Sequence, residues 1–345
     1  MSRRSARSVL ATVALSAASL TALPAPAQAD SPAATGRCSP AVTITGYSDA
    51  LDKTTYDGTF VGNLSALATD RGGRLAALSD RSSLFTLDGR TLAPRSVAPL
   101  ADEKGAALDS EGLAVDRDGT YLVTSETEPS IRRYDRTGAR VLDRLPVPAA
   151  LHDRARANAT FEGLTLLPGG RTLLASMESP LTGDTVNRLQ TWRRTHDGHF
   201  RPAAQYGYRT DANLGISEVT AAPDGRLLVL ERGFTSGVGN TVRLYEAELR
   251  GATDTSGVSD LTGQKGVRLA HKTLLADLAN CPSLGAPAHQ PQTNPLLDNI
   301  EAMTVTGRGP HGALRLLLAS DDNQSANQIT RFYSLRIAPR IVAVG

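Results

Sequence analysis

Acidic residues recur in pairs that straddle glycine-containing turns. Carboxylates arranged so can serve as general acids and bases, or as hard oxygen ligands for a divalent cation. Glu111 stands eight residues before Gly119, and Glu126 stands seven after it. Glu162 and Glu178 flank Gly169-Gly170, Glu218 and Glu231 flank Asp224-Gly225, and Glu301 precedes Asp321, Asp322 and Asn323 across a longer turn. An earlier copy keeps Asp80 and carries Ser65 in the leading place. Carboxylates gathered at one place repel and raise each other's pKa unless a cation, an arginine or backbone N–H groups compensate. The expected cation ligands are Asp80, Glu126, Glu178, Glu218, Glu231, Glu301, Asp321, Asp322 and Asn323, with Ca²⁺ the divalent ion that such an oxygen set suits first. Glu111 and Glu162 are the candidates for general base. Arg81 and Arg232, directly after Asp80 and Glu231, are the candidates for holding charged substrate oxygens. For any single acid the alternative is structural: a latch that accepts backbone N–H bonds between repeats.

The elements that must position these groups can be read from the same segments. Leu75–Ser79, Tyr121–Ser125, Leu173–Met177, Leu227–Leu230 and Leu316–Ser320 are β-rich runs, each led by a shorter one and a turn. A two-run unit around a tight turn is a hairpin, and in an antiparallel hairpin the start of one strand lies beside the end of the next. The two acids of each unit therefore meet at one end. Third runs follow, such as Ile131–Tyr134, Leu189–Trp192, Val242–Tyr245 and Ile329–Tyr333, and fourth runs such as Arg140–Arg144. Four-stranded units recurring at about 46–56 residues predict an all-β propeller, with an eight-stranded sandwich as the alternative. Five blades can be counted, and residues 250–300 leave room for a sixth. The last unit lacks an outer strand, which Val42–Gly46 can supply to close the ring.

The chain of 345 residues is 40% hydrophobic and 21% charged, enough to bury a large core. A net charge of +2 and 4% aromatic residues argue against a nucleic-acid partner. Arg3, Arg4 and Arg7, an apolar stretch from Val9 to Leu23, and Ala27-Gln28-Ala29 read as a signal peptide over residues 1–29. That stretch is too short and too rich in Ala and Ser for a membrane span. The expected organisation is a leader at 1–29, an N-terminal segment with the closing strand at 30–60, and the propeller at 61–345. Export to the extracellular space leaves Cys38 and Cys281, the only two cysteines, in an oxidising setting. They are expected to form a disulfide, with two free thiols the alternative. His196-Asp197-Gly198-His199 has metal-pair spacing, but Asp-Gly marks a turn. Trp192 is expected in the core.

No Gly-x-Ser-x-Gly elbow and no Arg-His-Gly motif occurs. The series Glu-Gly-Leu at Glu111, Glu-Gly-Leu at Glu162, Leu-Glu-Arg at Glu231, Ile-Glu-Ala at Glu301 and Asp-Asp-Asn at Asp321–Asn323 resembles the phytase-like family, "esterase-like activity of phytase". The similarity runs from about residue 60 to 337, with an insertion between Leu249 and Val267 as a departure. It implies an exported β-propeller that hydrolyses an ester or phosphoester of a small molecule or polymer. It assigns no catalytic residues. The residues themselves point to metal-assisted hydrolysis by a monomer. A non-catalytic propeller that binds an extracellular ligand and a lactonase-like sugar enzyme are the alternatives.

Overall fold

A computed structural model describes residues 36–340; the leader at 1–29 lies outside the described residues. The chain enters through β1 (Val42–Ser48) and a small hairpin, β2 (Thr54–Tyr56) and β3 (Thr59–Val61). Blade 1 is β4 (Leu64–Thr69), β5 (Arg74–Ser79), β6 (Ser83–Asp88) and β7 (Pro94–Pro99). Blade 2 is β8 (Ser110–Val115), β9 (Tyr121–Ser125), β10 (Ser130–Tyr134) and β11 (Val141–Arg144). A short helix, α1 (Ala149–Asp153), leads to blade 3: β12 (Phe161–Leu166), β13 (Thr172–Met177), β14 (Asn187–Arg194) and β15 (Phe200–Tyr208). Blade 4 is β16 (Gly215–Ala221), β17 (Leu227–Thr235), β18 (Gly239–Glu248) and β19 (His271–Asp277). Blade 5 is β20 (Ile300–Arg308), β21 (Leu314–Ser320) and β22 (Phe332–Ile337), with β1 as its fourth strand.

These five antiparallel four-stranded sheets form a propeller. The inner strands make a closed ring: β4 packs on β8, β8 on β12, β12 on β16, β16 on β20, and β20 returns to β4. The segment between β18 and β19 holds no further strand among the described residues, so the count is five. It is pinned instead by Arg188, which donates to Asp184 (2.6 Å) and to the carbonyls of Val258 and Ser259.

Glycine sets two features on which the site depends. Gly119 and Gly225 close the first hairpins of blades 2 and 4 at φ values of 84° and 87°, where other residues are strained. Gly112 and Gly163 act through size: a Cβ on Gly112 would overlap the Glu162 carbonyl, and one on Gly163 would overlap the Val219 nitrogen. The glycine in each Glu-Gly-Leu thus lets the next inner strand close up, which brings the preceding glutamates into one space.

Closure by the N-terminal strand is reinforced three times. β1 and β22 pair from Val42↔Ile337 to Ser48↔Phe332. Arg331, fully buried, grips Asp49 through Nε (2.6 Å) and Nη2 (2.8 Å) and donates to the carbonyls of Pro295, Leu296 and Pro287. Cys38 and Cys281 are joined by a disulfide, which ties the lead into β1 to the exit of blade 4. Between blades the packing is apolar; Trp192 is fully buried and donates its indole N–H to the Pro146 carbonyl (2.7 Å). No described helix is long and apolar enough to cross a membrane.

Candidate functional site

Every inner strand carries a one-residue β-bulge at its start. The register breaks at Ser65 in blade 1, at Glu111-Gly112 in blade 2, at Glu162-Gly163 in blade 3, at Ser217 in blade 4 and at Glu301 in blade 5. A bulge re-aims side chains and bends the strand, and here its fivefold repetition turns the bulged residue toward the axis. The residue that follows the partner of the pre-bulge residue on the second strand completes each blade's contribution: Asp80, Glu126, Glu178, Arg232 and Asp321.

The result is a cavity of about 290 Å³ at one mouth of the channel, lined by Ser65, Asp80, Arg81, Asp109, Glu111, Glu126, Asn158, Glu162, Glu178, Arg232, Glu301, Asp321 and Asn323. Eight of these are acids and two are arginines. Carboxylate oxygens of Asp109, Glu111 and Glu126 lie within 4.8 Å of one another, as do those of Glu126, Glu162 and Glu178. Glu126 belongs to both triads. Its own carboxylate accepts the Thr160 N–H (2.8 Å), which fixes it between them.

Charge this dense in a buried place changes the acids. Burial, then the charges of Glu301, Glu126 and Asp109, raises Glu111 well above the ordinary glutamate value. Burial, then Glu111, Glu178 and Glu301, does the same for Glu162. Burial pushes Asp80 up to about 7 and Glu126 up to about 7. Asp321 is pushed up to about 8 by burial and by Glu301. Glu178 and Glu301 are raised by burial but held back by Arg232. Arg232 Nη2 lies 3.0 Å from Glu301 and 3.8 Å from Glu178. Arg81 is more exposed and lies 3.5 Å from Asp80. Two cations do not neutralise eight acids, and Asp80 Oδ1 is buried with no hydrogen-bond partner among the described residues. A set of clustered, part-unpartnered carboxylates fits a hard divalent cation.

Three of the expected ligands lie elsewhere, and two share one cause. Blade 4 is displaced by one residue on both strands relative to an alignment by acid identity. Ile216↔Glu231 is the pair that corresponds to Leu64↔Ser79 and Ser110↔Ser125, so Ser217 and Arg232 take the axial places. A one-residue shift moves a strand's side chain to the other face. Glu218 is accordingly turned away from the cavity and buried, where its carboxylate accepts the Val219 N–H (2.8 Å) and burial raises its pKa. Glu231 is fully buried under blade 4, accepting from the Tyr208 hydroxyl (2.7 Å), the Asp211 N–H (2.8 Å) and Lys272 (2.5 Å). Asp322 accepts the Asn63 N–H (3.0 Å) and pairs with Lys53 on the N-terminal segment. All three make structural contacts. Asn323 does line the cavity, and its N–H donates to Asp321 (2.7 Å).

Asp109 and Asn158 join the cavity without having been singled out. Asp109 was legible in principle, because Asp109-Ser110-Glu111 places two acids on one side of an extended chain. His196 and His199 sit on an exposed turn, with His199 Nδ1 3.0 Å from Asp143, far from any acid triad in sequence and structure.

The structure is an all-β propeller of five blades with an acidic axial mouth. The chain matches the family model "Phytase-like: Esterase-like activity of phytase" over residues 59–324, more than half its length, and belongs to that family. Among solved structures, one provisionally named a gluconolactonase is 16% identical, covers 79% of this chain and 74% of its own, and has a TM-score of 0.41. A protein of unknown function from Bacteroides caccae is 12% identical over 77% of this chain and 70% of its own, with a TM-score of 0.34. No curated protein matches.

Proposed function

We propose that the protein is an exported, monomeric hydrolase of esters or phosphoesters whose reaction centre is the acidic mouth and whose cofactor is a divalent cation, Ca²⁺ first. The observation that carries this reading is the pair of carboxylate triads sharing Glu126. Asp109, Glu111 and Glu126, or Glu126, Glu162 and Glu178, would hold the cation, with Asp80 and Asp321 adding charge from the neighbouring blades. Bound there, it would supply Lewis-acid polarisation of the ester oxygen and offset the carboxylate charge.

The chain's own residues divide the remaining work. Because the triads share one member, filling one leaves the central acid of the other, Glu162 or Glu111, free to accept a proton from water as general base. Burial raises the proton affinity of both acids, and a cation bound beside them would favour the ionised form that a base needs. Arg232 keeps its charge against the surrounding acids and lines the cavity. It can donate to a substrate oxygen there, with the more exposed Arg81 as a second donor. Glu301 and Glu178 hold the Arg232 guanidinium in place.

The test is a panel of chromogenic carboxylic and phosphate esters assayed with added Ca²⁺, Mg²⁺, Mn²⁺ or EDTA. Turnover that requires a cation and is lost in Glu162→Gln is the expected result. Background rates with every ester and cation, together with a melting temperature indifferent to EDTA, would sink the hydrolase reading and leave a propeller that only binds.

A further inference from the structure

Blade 4 extends further at the mouth than the other blades. Its second strand runs nine residues and its third ten, where β9 and β10 run five each. The extra length lies at the mouth end: pairing continues from Arg232↔Val242 through Phe234↔Asn240 to Thr235↔Gly239. Arg232 and Phe234, two apart on one strand, share a face, and Asn240 lies directly opposite Phe234 on that face.

This ledge walls a second cavity of about 450 Å³ that shares Asn158, Arg232, Glu301 and Asn323 with the acidic one. The two spaces are therefore continuous, but their chemistry differs. Seven of the eleven residues lining the annex are Asn or Gln, and its only charged residues, Arg232 and Glu301, pair with each other at 3.0 Å. Asn240 Nδ2, Gln290 Nε2 and Arg232 Nε have no acceptor among the described residues. Asn240 is only 2% exposed, so its donor is withdrawn from solvent, whereas Phe234, at 55%, is the largest hydrophobic side chain left open.

We propose that the annex binds a neutral, hydroxyl-rich group, a sugar or cyclic polyol, which carries the bond presented to the acidic mouth. This rests on the hydrolase reading of that mouth and names its substrate class. A carboxamide offers both donor and acceptor, as a hydroxyl does, and neither needs a counter-charge. An aromatic face beside them supplies a flat apolar surface for the C–H side of a ring. A polyanion finds eight acids next door and one arginine already paired. An acyl chain finds a lining in which Phe234 alone is apolar.

Binding of glucose, maltose and myo-inositol, with inorganic phosphate and glucose 6-phosphate as charged probes, is measured by saturation-transfer NMR and calorimetry. The protein used is Glu162→Gln in EDTA, so turnover does not enter. At least one neutral probe binds with a Kd of about 1 mM or tighter. Phe234→Ala weakens it by about three- to tenfold without lowering the melting temperature, and Asn240→Ala weakens it as well. Failure of every neutral probe, tighter binding of either phosphate probe, or unchanged affinity in Phe234→Ala overturns the proposal. Probe binding with no ester turnover in the wild type defeats the hydrolase reading alone; turnover without probe binding defeats the annex alone.

Discussion

The two ends of the channel are built from the same five inner strands and have opposite chemistry. At one end the strands begin with a bulge and present Glu111, Glu162 and Glu301, and five further acids from adjoining segments bring the lining to eight. At the other they present Thr69, Thr165, Thr220 and Thr304 among Ala, Val, Leu and Pro, around a space of about 160 Å³ with no charged residue in its lining. The fold does not require the charge, because the threonine end closes equally well without it. Gathering like charges in a buried place raises the free energy of the folded state. An arrangement that costs stability at one end and is absent from the other belongs to function rather than to architecture.

The largest effect expected separates the two ends by activity. Glu162→Gln should lower kcat/KM by about 10²–10⁴-fold, while Thr69→Val, on the far mouth, stays within about twofold of wild type. Equal losses in a steady-state ester assay would break the comparison.

A second contrast lies among the acids themselves. Glu218 is buried outside the cavity, so Glu218→Ala leaves the Val219 N–H without its acceptor and empties a buried space. It should cost about 2–4 kcal/mol in denaturant unfolding. Glu162→Gln, which removes one of several repelling charges, should raise the melting temperature of the cation-free protein instead. Destabilisation by both would mean that the ring acids are structural too.

The smallest effect is in pH. Asp80 and Glu126 titrate at about 7 and Asp321 at about 8 in the folded protein, against about 4 in an unfolded chain. The folded state therefore binds more protons across roughly pH 4–8, and stability falls as pH rises through that window. The cation-free protein should melt about 5 °C or more lower at pH 8 than at pH 5. Millimolar Ca²⁺ should recover most of that loss at pH 8 and little at pH 5, because cation and proton compete for the same oxygens. A melting temperature that rises with pH in EDTA would contradict the acidic mouth as described.

Much of this was legible in the chain. Repeated hairpins led by Glu-Gly-Leu, with glycine turns between β-rich runs, define the blades, and the unpaired Val42–Gly46 segment matches the vacancy in the last one. The acids of blades 1, 2 and 3, with Glu301 and Asp321 of blade 5, could be assigned to one mouth because hairpin geometry alone joins strand starts to strand ends, whereas Asp322 is drawn off by Asn63 and Lys53 of the N-terminal segment. Blade 4 could not be read so. Its Glu218 and Glu231 look like the others in a linear pattern, yet which face a side chain takes depends on pleat parity and on where the bulge falls, one residue deciding each.

Local composition thus determined what is short-range: strand period, turn chemistry and the residue types available to the mouth. Tertiary structure alone decided what depends on contacts between distant segments. The count of five blades, the sharing of Glu126 between two triads, the charge-pairing of Arg232 and the overhang of the β17–β18 hairpin all depend on the assembled blades. Periodicity within a strand carries no record of its neighbour's offset, and it is that offset which places one oxygen near another.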